Sequence, residues 1–177
     1  HTNQCRITLG GNLCGTIIYR ETSLPLMLAD AKALFFGPAG MRTSTFDAVF
    51  NRRMLLNPGE FLMQVHIPVW ALGAPCVHVK RTAQEKIDYP LVNVTAMCKD
   101  GALRTAFSGV CAFPFRSREI EEILNDKTLS RQARVDSALS KLPEAAHTDV
   151  EGSGAYRMFV VKNTLINVLE AWEDGTL

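Results

Sequence analysis

The sequence predicts an α+β fold in which antiparallel strands come first and helices follow. Three observations carry this reading. Phe61–Pro68 and Val92–Lys99 alternate side-chain character with the period of two expected of a strand. Asp100-Gly101 separates Val92–Lys99 from a second extended run, Leu103–Cys111, and that dipeptide is a strong short-range hairpin signal. Ser153–Glu173 places Met158, Val161, Leu165, Val168, Leu169 and Trp172 along one helical stripe. Strands followed by helices pack as an α+β unit.

The elements follow in order. Residues 5–18 read as a loop with short helical or extended pieces around Gly10-Gly11 and Gly15. Ser23–Ala33 is apolar-rich, and Pro25 is acceptable in a first helical turn. Lys32–Phe36 and Met41–Phe46 are strands flanking the turn Gly37-Pro38-Ala39-Gly40. Phe46–Phe50 is a helical turn. Asn57-Pro58-Gly59-Glu60 turns the chain into the strand 61–68, whose Phe61, Met63, Val65 and Ile67 share one face.

Val69–Pro75 is a connector, and the predicted division falls here: residues 1–70 form one subdomain and 71–177 the other. Cys76–Thr82 opens the second with a strand. After the Asp100-Gly101 hairpin come helices at Ser117–Asn125, Ser130–Leu142 and Ser153–Glu173, the last with Ser153 as N-cap. The chain shows no internal repeat and no low-complexity tract.

Composition narrows the function. A chain of 177 residues, 47% hydrophobic, can bury one large core or two small ones. A net charge of +1 without like-sign runs gives no field for nucleic acid or anionic lipid. No apolar stretch approaches the roughly 20 residues that span a bilayer, and the start lacks the pattern of a secretory signal. The first residue is His rather than Met, as at a processed or cut end. Cys5, Cys14, Cys76, Cys98 and Cys111 are odd in number and lack a C-x-x-C pair, which argues against a disulfide framework or a zinc site. They read as small buried hydrophobes in a reducing cytoplasm. His1, His66, His78 and His147 have no metal-like spacing.

Hydrolytic chemistry finds little support. There is no G-x-S-x-G elbow; Ser108-Gly109 is a weak look-alike, and Gly152-Ser153-Gly154 reads better as a helix start. Asp149 and Glu151 read as a polar turn rather than a carboxylate pair. A Rossmann site needs G-x-G-x-x-G in a parallel βαβ unit, whereas Gly10-Gly11 is followed only by Gly15.

The distinctive stretch is Thr8-Leu9-Gly10-Gly11-Asn12. Two glycines without Cβ atoms let backbone approach a ligand closely, and the flanking hydroxyl and amide offer hydrogen bonds. In isolation, Gly10-Gly11 reads equally as a plain turn. Lys80 also reads as an ordinary solvated strand lysine. Arg116 and Arg157 read as structural, Arg157 tying to a carboxylate or a helix end and Tyr156 packing. Trp70 and Trp172 read as core.

Together with Glu21 and Ala29-Asp30-Ala31, that stretch resembles the FAD-binding subunit, or FAD domain, of the molybdenum hydroxylases. The resemblance continues in family order through Gly40-Met41-Arg42-Thr43, Leu56–Leu62 with Ile67-Pro68, and Val77-His78-Val79-Lys80 with Ile87-Asp88. It ends with Phe113–Ser117 followed by Glu121, and with the run from Asp149 to Arg157. It implies the second part of a vanillyl-alcohol-oxidase-type FAD-binding domain. A C-terminal subdomain of three antiparallel strands and a helical bundle would follow. It implies FAD here, with the molybdenum cofactor and iron–sulfur clusters on partner chains. Electrons would pass from those clusters through FAD to NAD or another acceptor.

Residue by residue, the resemblance puts Thr8, Gly10, Gly11 and Asn12 against the FAD diphosphate and neighbouring sugar. Glu21, where the family usually has Asp, would accept hydrogen bonds from the adenosine ribose. Leu62 would pack near the adenine or flavin. Lys80 would sit at the isoalloxazine edge, where a cation stabilises anionic reduced flavin. Gly15 stands where the family often has a small hydroxyl residue, so that contact is missing. Ile18–Glu21 and Lys86–Leu91 most resemble xanthine dehydrogenase-like subunits.

The family's other Gly-rich diphosphate loop precedes this motif. The chain is therefore expected to be the C-terminal portion of the subunit and to hold FAD weakly, since half a nest of N–H groups is a poor anion site. Two alternatives stand beside this reading. One is a non-catalytic module docking the molybdenum and iron–sulfur subunits. The other is a different flavoprotein of the same fold, such as the UDP-N-acetylenolpyruvoylglucosamine reductase type.

Overall fold

A computed structural model describes residues 6–82 and 89–176. Cys5, Ile87 and Asp88 lie outside the described residues, as does Lys86.

The chain opens on a short helix, α1 (Leu9–Cys14), followed by α2 (Ser23–Leu28). The Thr8 hydroxyl accepts the Gly11 N–H at 3.0 Å, which caps α1 and makes Gly10-Gly11 its first turn rather than a loop. Pro25 lies in the first turn of α2, where its missing N–H costs nothing. A hairpin follows, β1 (Lys32–Gly37) with β2 (Gly40–Thr45). Then come the helical turn α3 (Phe46–Val49), the small ribbon β3 (Phe50–Asn51) with β4 (Arg53–Met54), and β5 (Phe61–His66). The first sheet has the order β2-β1-β5 and is antiparallel.

Strict alternation in β5 does not hold. The pairing with β1 shifts between Leu34 and Phe35, so that Leu62 opposes Phe35 and Val65 opposes Ala33, leaving Met63 as the extra residue. A bulge of this kind resets which face a side chain joins. Leu62 and Val65 therefore pack on the core, while Phe61, Met63 and Ile67 are exposed.

The connector contains α4 (Val69–Leu72). The second sheet has the order β6-β7-β8-β9, from β6 (Cys76–Thr82), β7 (Pro90–Lys99), β8 (Ala102–Ser108) and β9 (Phe115–Arg116). The sheet thus has four strands rather than three, because Phe115 and Arg116 pair with Phe107 and Ala106. Asp100 and Gly101 turn β7 into β8, both at positive φ as a two-residue turn requires.

The helices are α5 (Arg118–Asn125), α6 (Arg131–Leu139) and α7 (Gly154–Glu173), capped by Ser117, Ser130 and Ser153 respectively. One face of the second sheet buries Val92, Val94, Leu103 and Phe107 against these helices, and the α7 stripe, Val161, Leu165, Val168 and Leu169, completes that core. The other face meets the N-terminal half, where Met97 and Ala106 join Leu13, Leu24, Phe35 and Phe46. α2 packs directly on β7 and β8.

Among the described cysteines all are free, and only Cys111 is buried. Cys14 and Cys76 are exposed, against the expectation of buried hydrophobes, because both lie at element ends or a sheet edge.

Candidate functional site

Three consecutive residues after α1 staple three separate parts of the molecule. Tyr19 donates its hydroxyl to Asp149 at 2.6 Å, just before α7. Buried Arg20 donates to the Gly15 carbonyl at 2.9 Å, closing the end of α1, and to the Arg52 carbonyl, with its guanidinium over the Phe50 ring. Glu21 reaches β6, where its carboxylate meets Lys80 at 3.0 Å and lies 3.8 Å from His78 Nε2.

The face of the second sheet beneath this segment is polar. Val77 and Val79 pack into the helical core, so strand alternation sends His78 and Lys80 to the opposite face. Register places His78 opposite Thr95, and Lys80 opposite Asn93. His78 Nδ1 is 2.8 Å from Thr95 Oγ1; Asn93 donates to Ser108 Oγ at 2.9 Å, and Ser108 donates to the Tyr19 carbonyl at 3.3 Å. Asn93, Thr95 and Ser108 are buried, and Asn93 Oδ1 has no hydrogen-bond partner. Buried polar groups are ordinarily paired, so an orphaned acceptor beside a charged cluster marks an incomplete constellation.

Electrostatics agree with geometry here. Burial pushes the Glu21 carboxyl up, but His78 and Lys80 outweigh it and hold its pKa below the usual value. Glu21 is therefore an anion at neutral pH, an acceptor for hydroxyl or N–H groups.

The expected site residues fall into two groups. Thr8, Gly10, Gly11 and Asn12 sit at the start of α1, where Thr8 is engaged with Gly11. Asn12 Oδ1 accepts from the Thr22 hydroxyl, next to Glu21. A Cβ on Gly10 would meet nothing within 4 Å, so open space faces that backbone. Glu21 and Lys80 form the second group. The resemblance assigned them to opposite ends of FAD, the adenosine ribose and the isoalloxazine edge, yet they contact one another. Leu62 is half-buried against the N-terminal core that also holds Leu13 of α1, and lies opposite Phe35.

Sequence reasoning missed His78, Thr95 and Asn93 as members of the cluster. The available signal was polar residues at alternate positions of β6 and β7. Asp149 likewise proves to be more than part of a polar turn: it accepts from Tyr19, from Arg157 and from the Glu151 N–H. Tyr156, expected to pack, is about half exposed and stacks only on Phe159.

A cleft of about 590 Å³ opens beside the end of α1, lined by Cys14, Gly15, Thr16, Arg53, Met54 and Asn57 among others. Among the described residues, no group of three or more His, Cys, Asp or Glu side chains could hold a metal ion. None of the described helices is long and apolar enough to cross a membrane.

Residues 3–70 match the family described as the FAD binding domain in molybdopterin dehydrogenase. Among solved structures, quinoline 2-oxidoreductase from Pseudomonas putida 86 superposes with a TM-score of 0.80 at 22% identity, covering 99% of this chain and 64% of its own. Carbon monoxide dehydrogenase from Hydrogenophaga pseudoflava, in a form lacking the Mo-pyranopterin moiety of the molybdenum cofactor, gives 0.82 at 21% identity over 98% and 63%. Reconstituted CO dehydrogenase from Oligotropha carboxidovorans gives 0.73 at 22% identity over 90% and 58%. At such identities the likeness is one of fold. The chain spans somewhat under two thirds of the length of each of these proteins.

Proposed function

We propose that this chain is part of the FAD-binding, electron-transferring subunit of a molybdenum hydroxylase. It would work with molybdenum-binding and iron–sulfur subunits and pass electrons through FAD to NAD or another acceptor. The observation that carries this is the family match over residues 3–70, which includes Thr8–Asn12, Glu21 and Leu62. The residues suit the group: backbone at Gly10 faces open space, Asn12 accepts from the Thr22 hydroxyl, and the neighbouring Glu21 is an anionic acceptor.

Bound FAD supplies the redox chemistry. This chain's residues bind and orient it. The first turn of α1 would offer a diphosphate the backbone N–H groups ahead of Gly11, whose own N–H is taken by Thr8. Glu21 accepts sugar hydroxyls. Lys80 neutralises Glu21, so the pair places little net charge beside the ligand. The division at residues 70 and 71 belongs to the same reading, with the FAD-contacting part before it and a supporting subdomain after it. The xanthine dehydrogenase-like subtype rests on Ile18–Glu21 and Lys86–Leu91, and a cytoplasmic location on the cysteine usage.

The test is FAD titration followed by flavin fluorescence. Saturable binding, weakened about tenfold by Glu21→Gln, is expected; a tenfold change is about 1.4 kcal/mol. Absence of binding, or binding indifferent to both Glu21→Gln and Gly10→Val, overturns the reading.

A second reading, a module that docks the other subunits, is favoured by the outer face of the first sheet. Phe36, Met41 and Phe61 are exposed there, with Phe36 and Phe61 edge to face at 5.9 Å. Co-purification of those subunits without flavin would favour it.

A further inference from the structure

We propose that His78, held by Thr95, is a positioning residue that makes one particular oxygen of Glu21 the one offered to a ribose hydroxyl. This rests on the FAD reading above and names what orients its anionic acceptor.

The two carboxylate oxygens of Glu21 meet different partners. Oε1 is committed to Lys80 Nζ at 3.0 Å. Oε2 faces His78 Nε2 at 3.8 Å, which is within ion-pair range but beyond hydrogen-bond reach. The second oxygen is thus oriented without being consumed, and its lone pairs stay available. A glutamate side chain in water samples many rotamers, and fixing it costs conformational entropy. Lys80 binds one oxygen and His78, two residues away on the same face of the strand, flanks the other, which narrows that freedom before any ligand arrives.

His78 is itself fixed. Thr95 Oγ1 lies 2.8 Å from Nδ1, on the neighbouring strand and directly opposite in register. When the hydroxyl donates to Nδ1, the ring proton resides on Nε2 and points at Glu21. Thr95 is buried, whereas the His78 side chain is 38% exposed, so the anchor is dry and the ring is partly open to solvent. Glu21 is one atom longer than the aspartate the motif usually carries, and the imidazole supplies the lateral support that the longer side chain needs.

The experiment compares wild type with His78→Leu, His78→Gln and Thr95→Val. FAD and ADP-ribose affinities are measured by titration calorimetry, and the imidazole tautomer by ¹⁵N NMR on the ligand-free chain. We expect His78→Leu to weaken both ligands about tenfold. His78→Gln, whose amide nitrogen takes the place of Nε2, restores affinity to within about threefold of wild type. Thr95→Val should weaken binding and lose the Nε2–H tautomer seen in wild type. Equal binding by wild type and His78→Leu, failure of Gln to rescue, or an Nδ1–H tautomer in wild type overturns the proposal alone. If wild type binds neither ligand, the FAD reading itself falls, and this proposal with it.

Discussion

The Tyr19 hydroxyl and the Asp149 carboxylate meet at 2.6 Å although 130 residues separate them. This contact fastens the segment carrying Glu21 to the turn before α7. The same carboxylate accepts from buried Arg157, which also donates to the Leu91 and Gly109 carbonyls. Tyr19, Asp149 and Arg157 therefore tie the N-terminal half, the second sheet and the longest helix at one point.

Removing the hydroxyl tests that junction. Tyr19→Phe is expected to lower unfolding stability by about 1–2 kcal/mol, the scale of a buried hydrogen bond to a charged group. Burial and the hydrogen bond to Asp149 push the Tyr19 phenol up to about 12. A raised folded-state value means the contribution is complete below the ordinary value and fades as pH rises toward 12. Ultraviolet titration should show one tyrosine ionising near pH 12, and Asp149→Asn should bring it down.

Acid should loosen a second junction. Asp30 sits at positive φ after α2 and meets Arg104 at 2.7 Å, Arg116 at 3.2 Å, Lys99 at 3.3 Å and Arg118 at 3.4 Å. Burial raises its pKa, but Arg104, Lys99 and Arg116 outweigh that and bring it to about 2. A depressed value means the stabilisation is present above pH about 4 and is lost as pH falls toward 2. Because Asp30 is partly exposed, screening reduces the effect to on the order of 1 kcal/mol. Denaturant midpoints measured across that window should fall more steeply in wild type than in Asp30→Asn.

Gly109 marks the end of β8 at a φ of 77°, and a Cβ there would lie 2.6 Å from the Leu91 carbonyl oxygen. Rigid backbone on both sides leaves no easy escape. Gly109→Ala should cost about 2–3 kcal/mol by thermal or denaturant unfolding, combining steric overlap with backbone strain.

Gly10 separates function from stability. It lies within α1, and a Cβ there meets nothing. Gly10→Ala should therefore stabilise the chain by up to about 1 kcal/mol through helix propensity. If a diphosphate approaches this backbone, the same substitution weakens FAD binding. Opposite signs in melting temperature and FAD affinity are the expected result.

Much of the fold was legible because local chemistry announced it. The Asp100-Gly101 turn, the Ser153 cap and the apolar stripe of α7 each act within a few residues. The β5 bulge was not legible, because Phe61, Met63, Val65 and Ile67 looked like one face until pairing with β1 shifted the register. The two-residue β9 was missed for a similar reason: only its partner β8 makes it a strand.

The motifs themselves proved to be largely partners of one another. Arg42 holds Glu60 through contacts of 3.0 and 2.7 Å, joining the Gly40–Thr43 and Leu56–Leu62 stretches. Arg116 joins Glu121 and Asp30. Spacing along the chain revealed such residues without revealing whom they meet.

The sequence by itself determined the α+β class, the capped helices, the hairpin and the glycine pair at the head of the chain, since propensity and periodicity are local properties. Tertiary structure alone decided that Glu21 and Lys80 are a pair, that His78 faces them, and that Asp149 is a junction as well as a turn residue. Those outcomes depend on strand register and on how the two halves dock, and packing sets both across distances that no local pattern encodes.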